Sequence, residues 1–149
     1  MSFDNVDRPQ HYNSHPSGIQ PVEIAEHMVL TLGTAFIYGW RYNMKGTPLE
    51  DLRKMRWWLL RQQEHNAQLP WPSASQAGYF RGEVMPSRKH AFNRPSPWCE
   101  PVRHALAALC DWHSTESITE RGRLLSKAIQ CIDTAIADEC CFDGRSMQP

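Results

Sequence analysis

No sign of charge dominates this chain. Sixteen Lys and Arg offset sixteen Asp and Glu, so there is no global field to hold a long nucleic acid. No stretch approaches the ~18 consecutive apolar residues that a membrane span needs. The polar start, MSFDNVDRPQHYNSHPSG, lacks the apolar core of a secretory signal. There is no CxxC pair, and the five cysteines (Cys99, Cys110, Cys131, Cys140, Cys141) are a poor basis for a disulfide framework. They read as reduced thiols of a cytoplasmic protein, mostly small core residues. No GxxxxGK[ST] or GxGxxG run offers a phosphate cradle. The expected partners therefore exclude membranes and long nucleic acids.

Several reactive groups are weakly placed. His11 and His15 are four apart, but Pro16 and the surrounding turn residues oppose a helix that would align them. They read as surface loop histidines, and no metal site is expected. Cys140 and Cys141 fall at the end of an expected helix, where the dipole disfavours a thiolate. Cys99 precedes a helix start and has His104 nearby, but no local signature of a nucleophile surrounds it. Gly33-Thr34-Ala35 offers free backbone N–H groups if a helix begins there, although helix packing is the commoner use of such a glycine.

What is present is enough for a core: 41% of the 149 residues are hydrophobic. The pattern predicts an all-α chain. An extended arm rich in Pro, Gly, Asn and Ser occupies the first 20 residues. A short helix follows over Val22–Met28, then a nearly all-apolar helix over Gly33–Asn43. The third starts at a capping box, Thr47-Pro48-Leu49-Glu50, and runs to about Asn66 with Leu49, Leu52, Met55 and Leu59 at helical spacing. Residues 67–98 are proline-rich and carry five basic and two acidic residues when extended to 104. They read as a basic functional loop or linker, with a weak strand signal near Gly78–Val84. Helices over Pro101–Trp112 and from Ser117 to about Cys140 close the chain as a hairpin. Three segments result: residues 1–66, 67–98 and 99–149.

The densest chemistry lies where the second and third helices meet. Tyr38, Trp40, Arg41, Tyr42 and Lys45 precede Arg53, Lys54, Arg56, Trp57 and Trp58. Flat rings beside fixed positive charge suit nucleotides, because bases stack and phosphates pair. The same residues also pack cores and solvate helix faces. Trp57 and Trp58 point about 100° apart on a helix, so both do not face one ligand squarely.

The order of these residues resembles a family. PQHYNSHPSGIQPVEIAEHM followed by LGTAFIYGWRYNMKGTPLEDLRKMRWWL is similar to a small phage and prophage domain, one member of which is the nucleotide kinase of T-odd coliphages. Pro9, His11, Tyr12, Gly18, Glu23, Gly33, Tyr38, Trp40, Arg41, Lys45, Gly46, Asp51, Lys54 and Trp57 are among the matching positions. They cover about residues 5–65. The resemblance implies a kinase-like helical domain, binding of deoxynucleoside monophosphates, and phosphoryl transfer that uses ATP and Mg²⁺. On that basis Arg41, Lys45 and Lys54 are expected to meet phosphates, and Tyr12, Trp40 or Trp57 the base. His11 is expected to hydrogen-bond the ligand, with Tyr38 nearby. Asp51 or Glu23 is expected to orient the cations or carry Mg²⁺. Thr34 and Ile37 stand where the family usually has asparagine and lysine. Removing a lysine weakens phosphoryl transfer more than binding. The expectation is a homo-oligomeric binder of a small phosphorylated nucleotide in the host cytoplasm, sequestering a defence signal without turnover. The rivals are a monophosphate kinase and a ligand-free interaction module.

Overall fold

The computed structural model describes residues 15–44 and 46–138, and every regular element among them is helical. The helices are α1 (Val22–Ala25), α2 (Leu30–Arg41), α3 (Pro48–Glu64), α4 (Ala74–Tyr79), α5 (Glu100–Ser114) and α6 (Ile118–Ala137). A π-helical turn over Phe80–Val84 prolongs α4, and a 3₁₀ turn covers Lys89–Phe92. The expected all-α class is what the chain adopts. His11, Tyr12, Lys45, Cys140 and Cys141 lie outside the described residues.

α1 is shorter than its predicted span, and α2 begins at Leu30 rather than at Gly33. The Gly33 N–H donates to the Val29 carbonyl (2.8 Å), so it is not free to meet an anion. Val29 has no capping side chain. Its N–H donates instead to Nε2 of His113 on α5 (3.1 Å), a cap supplied from the far end of the sequence. Further along, Gly39 permits close packing. A Cβ there would lie 2.6 Å from Met55 Sδ and 2.9 Å from Leu106 Cδ2, so glycine lets α2 approach α3 and α5 together.

Gly46, with φ +89°, turns the chain between α2 and α3, a conformation that costs glycine least. Pro48 stands in the first turn of α3 as expected, but the Thr47–Glu50 capping box does not form. The Glu50 carboxylate is taken by Lys54 (3.0 Å). At α6 half of the second box forms: the Glu120 N–H donates to Ser117 Oγ (3.1 Å), while the Glu120 carboxylate turns to Arg123. α5 and α6 pack along each other, and α3 packs on α6.

Residues 67–98 depart most from expectation. The strand near Gly78–Val84 is helical. Ser73 and Gln76 form a reciprocal capping box, with Gln76 N–H on Ser73 Oγ (3.1 Å) and Ser73 N–H on Gln76 Oε1 (2.7 Å). Phe80 and Val84, four apart, then share one inward face rather than alternating across a sheet. This segment also buries Ala91, Phe92 and Trp98, so it supplies core and not only loop. One apolar cluster unites Phe36, Met55, Phe80, Leu106 and Leu125, drawing on all three sequence segments.

His113 gives the fold a pH dependence. It is 1% exposed, its Nδ1–H donates to the Leu109 carbonyl (2.7 Å), and its Nε2 accepts from Val29. Burial lowers its pKa from 6.5 to about 4. Between those values the unfolded chain binds a proton that the folded chain refuses. Stability is therefore full above about pH 6.5 and falls as the pH drops towards 4. At ~1.4 kcal/mol per pKa unit, urea unfolding at pH 7 and pH 4 should show a loss of roughly 3 kcal/mol from this residue. His15 shifts the same way and adds to the loss. The His113→Gln variant should be less stable at pH 7 and show a flatter profile. An unchanged profile would remove His113 as its cause.

Candidate functional site

The end of α2 and the start of α3 bring together several of the residues singled out in the sequence. Arg41 reaches Asp51 across the helix pair, with both Nε–Oδ2 and Nη2–Oδ1 at 3.5 Å. Their side chains are 10% and 1% exposed. The Arg41 guanidinium also lies 4.7 Å from the centre of the Tyr38 ring, and Lys54 Nζ lies 5.6 Å from it. The hydrogen bond that Lys54 donates to Glu50 chiefly raises the Lys54 pKa, with the negative charges of Glu50 and Asp51 adding to it, so the ammonium stays charged at neutral pH.

Trp57 stands one turn beyond Lys54 and is 57% exposed. Its ring meets Trp58 edge to face, with centroids 5.0 Å apart and planes at 82°. Trp58 turns inward and packs against the core, as the ~100° offset between neighbouring helical residues requires. A shallow depression of about 480 Å³ runs along this face of α3, lined by Leu49, Glu50, Arg53, Lys54 and Trp57. Arg53 was not among the residues assigned to phosphate. Its signal is the spacing Leu49, Arg53, Trp57: steps of four that put all three on one helical face.

Other expectations are corrected by burial or by commitment to another partner. Trp40 is 0% exposed and cannot stack on a base from outside. It packs against His15 (4.8 Å), Trp98 (4.8 Å) and Phe36 (5.7 Å), and its carbonyl accepts the Trp98 indole N–H (2.8 Å). His15, expected at the surface, is buried between Trp40 and Trp98. Glu23 accepts the Gln20 N–H (2.6 Å) just before α1, so its carboxylate is engaged by the backbone rather than by the cations. Arg41 is turned to Asp51 and Tyr38, not to solvent. A Mg²⁺ ion would need Asp51 or Glu23, yet Asp51 faces Arg41 in the interior. Among the described residues no three His, Cys, Asp or Glu side chains converge as a metal set. With Asp51 committed to Arg41 and Glu23 to the Gln20 N–H, neither carboxylate is placed to hold that ion.

The chain matches no family model, no curated protein and no solved structure. Among the described residues no helix is long and apolar enough to cross a membrane.

The geometry of the Arg41–Asp51 pair makes Arg41 a structural residue. Removing one partner of a buried ion pair leaves the other charge uncompensated, at a cost of about 3 kcal/mol. The Arg41→Ala variant should lose stability on that scale in urea unfolding. A variant as stable as the parent would show that the Arg41–Asp51 pair does not hold the helices together.

Proposed function

We propose that the chain binds a small phosphorylated nucleotide on the outer face of α3, without turning it over. The observation that carries this reading is the exposed Trp57 beside Arg53 and Lys54, all lining one depression. An indole held in water at more than half exposure has little stability to offer where it is, and a base stacked on it gains about 1–3 kcal/mol. Arg53 and Lys54 meet the phosphates. Glu50 holds Lys54 in place, and Tyr38 backs the pair. Lys45, which lies outside the described residues, is the further cation that this reading assigns to phosphate.

The resemblance of residues 5–65 to the phage domain that includes a nucleotide kinase supports the nucleotide class. Ile37 favours binding over turnover. Where that family usually carries lysine, this side chain packs against the core and borders an apolar recess with Pro21 and Val22. It brings no charge to a transferring phosphoryl group. In a phage, such a binder would sequester a host signalling nucleotide.

A thermal-shift panel of mono-, di-, tri- and cyclic nucleotides tests the proposal, since stabilisation follows ligand concentration over Kd. At least one nucleotide should raise the Tm, and no diphosphate should form from a monophosphate and ATP. The Trp57→Ala variant should keep the parent Tm and bind about tenfold more weakly, as loss of one stacked base implies. Diphosphate formation would favour the kinase, and no shift with any nucleotide would favour the interaction module.

A further inference from the structure

At the other end of the α2–α3 pair from the charged depression, the α1–α2 turn and the Trp71–Tyr79 segment line a groove of about 560 Å³. That volume falls within the roughly 300–1,000 Å³ of small-molecule sites. Its walls carry rings. Tyr79 is 53% exposed, and its ring centre lies 5.6 Å from that of His27. Trp71 is fixed in position. Its indole N–H donates to the Asn66 carbonyl (2.8 Å), and Trp112 (5.5 Å) and the Arg121 guanidinium (5.3 Å) brace its ring. A ring wall already locked in place loses little freedom when a ligand stacks on it.

The polar lining is Glu26, His27, Ser75 and Gln76, and neither Lys nor Arg is among the lining residues. Glu26 supplies the carboxylate, 3.4 Å from the neighbouring His27 ring. A phosphate or carboxylate would meet that negative charge with no Lys or Arg in the lining to offset it. A neutral ring would not, and a cationic one would gain from it. From these observations we propose that the groove is a second binding site, for a small planar molecule that is neutral or cationic. Its charge preference is opposite to that of the α3 face, and it stands independently of the nucleotide reading.

Three probes share one ring and differ in charge: tryptamine, indole and indole-3-acetate. Each is titrated into the full chain and followed by amide and indole NMR signals. Shifts should concentrate at Trp71, Gln76 and Tyr79, with tryptamine binding most tightly and indole-3-acetate most weakly. Tyr79→Ala should weaken tryptamine at least tenfold without altering the Tm. Glu26→Gln should erase the preference for tryptamine over indole. The Trp57→Ala variant should give the same result as the parent, which separates this site from the α3 face. The proposal is overturned if none of the three probes moves these residues. Equal binding of indole-3-acetate and tryptamine overturns it as well.

Discussion

Burial of Trp40 sets the rotation of α2, and most of the site follows from that rotation. The indole sits among His15, Phe36, Phe92 and Trp98, and the Trp98 N–H holds the Trp40 carbonyl at the end of the helix. Residues two apart on a helix diverge by about 200°. With Trp40 pointing in, Tyr38 is carried towards the surface and Arg41 is carried to the seam with α3. Gly39 lets that seam close, because any larger side chain would meet Met55 and Leu106. The same end of α2 is tied to the proline-rich segment: the Tyr42 hydroxyl accepts the Cys99 N–H (3.0 Å), and Asn43 donates to the Pro97 carbonyl. The segment between α3 and α5 is thus part of what holds the helix pair in place.

The cations of this region divide by depth. Arg41 is inside, facing Asp51, and joins two helices. Lys54 and Arg53 are outside, with Lys54 paired to Glu50 at the surface. Arg56 is held by Asp133 on α6 (2.5 Å) and fastens α3 to the C-terminal hairpin. Four basic residues therefore have three roles, separated by depth and by the carboxylates that Arg41, Lys54 and Arg56 meet. Trp57 and Trp58 divide likewise into an outward ring and an inward one.

Periodicity made the helices legible, above all α3, α5 and α6, whose apolar residues recur at steps of three and four. The boundaries were less legible where the cap comes from a distant residue. His113 satisfies the start of α2, and nothing near Leu30 announces it. The Thr47 box was misleading because its glutamate found a closer cation in Lys54. The Ser73–Gln76 box is present in the sequence and marks α4, but Pro70, Pro72 and Pro86 around it favour a loop. In the site, residue types pointed to the right corner of the molecule. They could not tell Trp40 from Trp57, since the choice depends on Phe92 and Trp98, some fifty residues on in sequence.

The central claim is that the outward ring and not the buried one receives the nucleotide. The six tryptophans give separate indole N–H signals, which can be followed while AMP, ADP, ATP and a cyclic dinucleotide are added in turn. The account predicts that at least one of them moves the Trp57 signal first and furthest, with Trp40 and Trp112 unmoved. A dominant shift at Trp40, or a Trp57 signal that ignores every nucleotide, would contradict it.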